Sequence, residues 1–154
     1  MTAKVKPIPE GYQTAMPYLI IQGAAAALDY YKKVFGATEI MRMAQPDDKI
    51  GHAEMRIGDS VIMLADEVPG HRGPKSLGGS PVSLLLYVED VDAVVARAVA
   101  AGAKLTRAVQ DQFYGDRIGL IEDPFGHLWG IATHVEDVSP EEMNRRMAAM
   151  SKSK

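Results

Sequence analysis

The stretch Asp116–His134, read as DRIGLIEDPFGHLWGIATH, decides the fold. It divides into a strand over Asp116–Ile121, a tight turn over Asp123-Pro-Phe-Gly126, and a second strand over His127–Thr133. Proline presets the φ of a turn's second residue, and glycine closes the turn without steric cost. The same stretch holds the only tryptophan and two of the four histidines, His127 and His134.

Working outward, Val82–Val88 reads as a strand and Asp90–Ala101 as a helix stopped by Gly102. Val91, Val94, Val95 and Ala98 recur on one face of that helix. Lys104–Val109 is a further strand, so the order is β-α-β-β-β. The first half repeats it. Met16–Gln22 is a strand, and Gly23–Gly36 a helix with Leu28, Tyr31 and Phe35 at helical spacing. Thr38–Met43, Ile50–Ile57 and Ser60–Ala65 are strands, the last two joined by a Gly58-Asp59 turn. Sliding the halves by 66 positions lays Gly36-Ala37 on Gly102-Ala103, which marks a duplicated module.

Residues 14–66 form the first module and 82–136 the second. Residues 67–81, rich in Gly and Pro and without periodicity, read as a linker. Residues 1–13 read as an extended arm rather than core. Ser139-Pro-Glu-Glu142 is a capping-box start for a C-terminal helix over 139–150, striped by Met143, Met147 and Met150. The fold class is therefore α+β.

Composition narrows the function. The chain has 154 residues, 47% apolar and 24% charged, as expected of one globular domain or two small modules. A net charge of −3 argues against nucleic-acid or anionic-membrane partners. No apolar run approaches the roughly 18 residues of a membrane span. The absence of cysteine removes disulfides, thiolate metal sites and a thiol nucleophile, and fits a cytoplasmic location.

Alternation along Ile50–Ile57 puts Ala53, Met55 and Ile57 on a helix-covered face and His52, Glu54 and Arg56 on the other. That second face is either ordinary solvated surface or the polar floor of a site.

Several motifs together resemble one family. They are the helix ending in Phe35-Gly36-Ala37 and the terminal Asp123-Pro-Phe-Gly-His-Leu-Trp129 run. Pro17-Tyr18-Leu19, Gly51-His52-Ala53-Glu54 before Gly58-Asp59-Ser60, and Tyr114-Gly115-Asp116-Arg117 join them. The chain resembles the vicinal oxygen chelate superfamily, which groups glyoxalases, bleomycin-resistance proteins and dioxygenases, and within it the PhnB-like branch. The resemblance implies two paired βαβββ modules forming a concave mixed sheet with flanking helices. It also implies a homodimer and a small-molecule ligand in the cavity between paired modules.

Metal-dependent members carry four ligands on four strands. Those positions fall here on Met16, Met63, Ser83 and Gly130. Thioethers are poor partners for hard cations and glycine has no side chain, so no cofactor is expected. The face that bears these positions is expected to bind ligand through Tyr18, Ile20, Met63, Ser83, Leu85 and Tyr87, with Met41 and Met43 extending it. Tyr114 is a candidate gate.

Arg117 either pairs with Asp116 or anchors an anionic ligand. His127 is read as bonding turn carbonyls and Trp129 as core. His52 and Glu54 are the candidate catalytic residues, as a general base with its orienting carboxylate or as ligands of a relocated metal. A salt-linked polar pair is the bland alternative. The sequence thus points to a metal-free ligand-binding protein, the alternative being a lyase, isomerase or dioxygenase-like enzyme of the same superfamily.

Overall fold

The computed structural model describes residues 4–153. It resolves into two compact units that divide between Gly79 and Ser80. Each holds one four-stranded mixed sheet. Met1, Thr2 and Ala3 of the predicted arm lie outside the described residues.

The first unit runs β1 (Tyr18–Ile21), α1 (Ala24–Phe35), β2 (Thr38–Ala44), β3 (Ile50–Ile57), β4 (Ser60–Asp66) and α2 (Pro74–Leu77). Its strand order is β1-β4-β3-β2, with β1 parallel to β4 and the other pairs antiparallel. The helix α1 buries Ala24, Ala27, Leu28, Tyr31 and Val34. Val34 and Ala27 thus serve the core where periodicity pointed to Phe35, which is half-buried.

Gly23 offers α1 no capping side chain. Asp66, at the end of β4, supplies the cap instead. Its Oδ1 accepts from the backbone N–H of Gly23 (2.9 Å) and Ala24 (3.0 Å), and its Oδ2 accepts from Ile50 (2.7 Å). A carboxylate there satisfies free helix donors and meets the positive end of the helix dipole.

The 67–81 segment is more structured than its composition indicates. Val68 and His71 exchange backbone hydrogen bonds, and Glu67 accepts from Gly73 N–H (2.6 Å) and Ser76 Oγ (2.9 Å). Pro74 at the first position and Gly78 at the C-cap frame the single turn α2. Glu67 organises this turn through contacts that short-range periodicity does not register.

The second unit runs β5 (Ser83–Tyr87), α3 (Val91–Ala100), β6 (Lys104–Asp111), β7 (Asp116–Glu122), β8 (Leu128–His134) and α4 (Pro140–Lys152). The order β5-β8-β7-β6 repeats the first sheet. Val91, Val94, Val95 and Ala98 of α3 are buried, as their spacing predicts. Asp90 caps α3 by accepting from Ala93 N–H, and Ser139 caps α4 by accepting from Glu142 N–H. Arg146 ties α4 back to the unit by donating to the Phe113 carbonyl at 2.9 Å. No residue of α4 is buried, and Met147 and Met150 remain half exposed. Among the described residues no helix is long and apolar enough to cross a membrane.

The turn between β7 and β8 is built on Asp123, itself buried. Its Oδ1 accepts from the N–H of Phe125 (2.9 Å) and His127 (3.0 Å), and its Oδ2 accepts from Trp129 Nε1–H (2.9 Å). One carboxylate therefore closes the turn and satisfies the buried indole, which packs in the core as expected. Replacing Asp123 by Ala strands three donors, so a loss of about 3 kcal/mol in unfolding free energy is expected from urea denaturation, with an unchanged ligand-free fold by circular dichroism.

Candidate functional site

Residues opposite one another on paired strands share a face. Tyr18 faces Met63, Met63 faces Glu54, and Glu54 faces Met41, so these four form one row across the first sheet. Ile20 and Ala65 pair on the same face, and Met43 pairs with His52. The opposite face carries Ala53, Met55 and Ile57, all buried on the α1 side.

A chain of hydrogen bonds runs through the open face. Tyr18 Oη lies 2.7 Å from His52 Nδ1, and His52 Nε2 lies 2.7 Å from Glu54 Oε2. Tyr12 Oη donates to Glu54 Oε1. Glu54 is only 6% exposed, while Tyr18 at the other end is 47% exposed. The Tyr12 hydrogen bond, reinforced by that from His52, holds the Glu54 carboxyl below the usual carboxylate range despite burial. The same bond to Glu54, with burial, pushes the Tyr12 phenol up.

These partners assign the histidine tautomer. An ionised carboxylate only accepts, so His52 Nε2 carries the hydrogen. In the neutral ring Nδ1 is then the acceptor for the Tyr18 phenol.

Tyr18 also lines a cleft of about 490 Å³ with Ile20, Gly51, Ala65, Val68 and His71. His52 and Glu54 do not line it; they stand behind Tyr18. Asp66 borders the cleft, and both its oxygens are engaged by backbone N–H groups.

The second unit has a polar cluster of different character. Tyr87 Oη donates to Asp116 Oδ2 (2.7 Å), His134 Nδ1 lies 2.8 Å from Asp116 Oδ1, and His134 Nε2 lies 2.7 Å from Asp137 Oδ1. Both ring nitrogens face carboxylates, so both donate and His134 is an imidazolium. The Asp116 bond first, then Asp137, raises its pKa. Burial pushes the Asp116 carboxyl up, but Tyr87 and His134 together outweigh it and leave it low.

The matching row of the second sheet is apolar. Leu85 pairs with Gly130, and Gly130 with Leu120, where the first sheet has Tyr18, Met63 and Glu54.

Residues 14–131 match the Glyoxalase/Bleomycin resistance protein/Dioxygenase superfamily. The chain belongs to this superfamily. A Mycobacterium bovis relative is 44% identical over 138 residues, covering 86% of this chain and 91% of its own. The solved Arabidopsis thaliana At5g48480 gene product is 29% identical, covers 79% of this chain and 98% of its own, and superposes with a TM-score of 0.66. The PhnB protein of Bacillus cereus, 16% identical with a TM-score of 0.65, covers 79% of this chain and 99% of its own and shares the fold.

The superfamily's divalent metal does not fit the residues at its usual positions. Met63 and Ser83 lie on the open faces, and Met16 just precedes β1. Gly130 offers no side-chain donor, and a Cβ there would lie 3.1 Å from Leu85 Cδ1 and 3.4 Å from Ile118 and Leu120. Among the described residues no group of three or more His, Asp or Glu side chains is arranged to hold a metal ion.

The predicted ligand-binding residues are divided between the two units. Tyr18 and Ile20 line the cleft, and Met63 shares their face. Ser83, Leu85 and Tyr87 alternate onto the exposed face of β5, and Tyr114 packs edge-on against Phe113 in the loop before β7. Arg117 is a correction. It does not pair with Asp116. Its Nε and one Nη reach both oxygens of Asp92 on α3 (2.8 and 3.0 Å), and the other Nη reaches Asp111 (3.0 Å). Alternation sends it to the helix side, away from Asp116.

Two further residues belong to the site. Tyr12 lies in the arm that composition placed outside the core, yet its phenol reaches Glu54. Gln13 fixes the arm by exchanging hydrogen bonds with Val61 of β4. His71 lies in a Gly/Pro-rich segment that lacks phosphate-loop spacing. Aromatic and amide side chains in an otherwise Pro/Gly-rich arm were the only available signal.

The raised pKa of His134 has a definite sign. The folded state favours its protonated form, so its contribution to stability is complete below the ordinary imidazole value of 6.5 and is lost as pH rises through the raised folded value. The melting-temperature difference between the wild type and His134→Gln is expected to be largest near pH 5.5 and to shrink towards pH 9, as read by differential scanning fluorimetry.

Proposed function

We propose that this superfamily member binds a small organic molecule against the open face of its first sheet, without the usual divalent metal. The observation that carries this reading is the cleft of about 490 Å³ beside Tyr18. Its size falls within the range of small-molecule sites, roughly 300–1,000 Å³, and its lining combines apolar walls with a few polar groups. Ile20 and Val68 supply apolar surface, while the Tyr18 phenol and the His71 imidazole supply hydrogen-bonding groups. The residues at the usual ligand positions, Met16, Met63, Ser83 and Gly130, support metal independence through their chemistry.

A homodimer in a cytoplasmic setting belongs to the same proposal. The half-exposed Met147 and Met150 of α4 are the apolar surface that would suit association. A chain without cysteine requires no oxidising compartment.

A second reading, a lyase or isomerase of the superfamily, is favoured by one observation. His52 is oriented by a buried carboxylate, the arrangement a general base needs.

Native mass spectrometry and elemental analysis of untagged protein test the first reading. The expected result is an organic mass in stoichiometric amount, with less than about a tenth of an equivalent of metal and no change in melting temperature on chelation. Stoichiometric zinc, nickel or iron overturns it. Sedimentation should give twice the 16.7 kDa chain mass.

A further inference from the structure

We infer that Tyr18 is the group that exchanges a proton with the molecule in this cleft, with His52 and Glu54 relaying from behind it. The inference rests on the cleft being a ligand site and assigns the site its chemistry. Of the three hydrogen-bonded residues, Tyr18 alone lines the cleft. Its hydroxyl oxygen lies 2.7 Å from His52 Nδ1, the acceptor in the neutral ring, and the opposite edge of that ring meets Glu54 at 2.7 Å. Tyr12 supplies Glu54 with a second donor, so the carboxylate keeps its charge although it is buried. A charge fixed at that end stabilises an imidazolium when His52 takes up a proton. This is the arrangement in which a hydroxyl is activated through a histidine oriented by an acid, here with a phenol as the terminal group.

The proton count closes without any co-reactant. A C–H or O–H bond of the ligand breaks and its proton goes to the Tyr18 oxygen. The phenol's own proton passes to His52 Nδ1, and Glu54 balances the resulting imidazolium. Return of a proton to a different ligand atom completes an isomerisation, and return to the same atom completes an exchange. Proton transfer is most efficient between groups of similar acidity. A phenol ordinarily ionises near about 10, which points to enolisable carbonyl compounds or phenols as the ligand class.

The other charged groups around Tyr18 leave this assignment intact. Asp66 spends both oxygens on backbone N–H groups, and His71 stands on the Val68–His71 turn at the cleft wall. The second unit provides the contrast. Tyr87 donates directly to a carboxylate, and His134 beside it already holds both protons, so no acceptor is left for a relay.

Acetylation by N-acetylimidazole measures this without a known substrate. The reagent's C–N bond breaks as the acetyl carbon bonds to the phenol oxygen, and the phenol proton leaves through His52 to the departing imidazole. In ligand-free wild type at pH 7.5, peptide mass mapping is expected to show Tyr18 reacting at least about tenfold faster than Tyr87. Exposure alone orders them the other way, since Tyr87 is 58% exposed and Tyr18 47%. His52→Gln and Glu54→Gln should each bring Tyr18 to within about twofold of Tyr87 while circular dichroism stays unchanged.

A wild-type Tyr18 no faster than Tyr87, or a folded variant that keeps the full rate, overturns the assignment. If a variant does not fold, the rate of wild-type Tyr18 against N-acetyltyrosinamide in the same solution decides, a Tyr18 no faster than the free phenol overturning the assignment. The experiment needs no bound ligand, so it can fail while the binding proposal stands, and the binding proposal can fail while Tyr18 proves activated.

Discussion

A four-stranded sheet has two faces, and each βαβββ unit brings one long helix to cover one of them. Strand alternation then sorts every side chain into one of two fates. On the covered faces lie Ala53, Met55 and Ile57 in one unit and Trp129 and Ile131 in the other, all buried. On the open faces lie Tyr18, His52, Glu54 and Met63, and in the second unit Leu85, Ile118, Leu120 and Gly130. A slip of one residue would exchange the two sets, turning core into surface and a hydrogen-bonded relay into buried, unpaired polar groups. The two capping carboxylates hold that register. Asp66 joins a strand end to the start of α1, and Asp123 joins the β7–β8 turn to the buried indole.

The same residue type meets different partners in the two units. His52 faces one carboxylate and one phenol, and a phenol can donate to a ring nitrogen. His134 faces two carboxylates and becomes a cation that ties β8 to the segment leading into α4. Counting histidines near acids would rank the second cluster higher. Counting which nitrogens can still accept a proton selects the first.

Much of this was legible in the sequence. The duplicated pattern, the Asp-Pro-Phe-Gly turn and the helix stops gave the architecture, since these signals depend on neighbours a few residues apart. Alternation in Ile50–Ile57 placed His52 and Glu54 together on the open face. The pairing of Arg117 with Asp116 failed against the same rule. Adjacent residues on a strand point to opposite faces, so Asp116 could not be its partner, and Asp92, 25 residues earlier, is. Tyr12 was out of reach for another reason. It meets Glu54 across 42 residues, from a proline-rich arm whose position depends on Gln13 and the edge of β4. Local periodicity carries no trace of such a contact. The turn held by Glu67 escaped for the same reason.

Gly130 has a further meaning. The space where a relative would hold a carboxylate is filled by Leu85, Ile118 and Leu120, which close over the bare backbone. A Cβ there meets the end of Leu85 at 3.1 Å, so that side chain must give by a few tenths of an ångström before a larger residue fits. Leu85 is 55% exposed, so its end has solvent to swing into. A mutational path that restores an acid at this position therefore begins with a rotamer change at one half-exposed leucine.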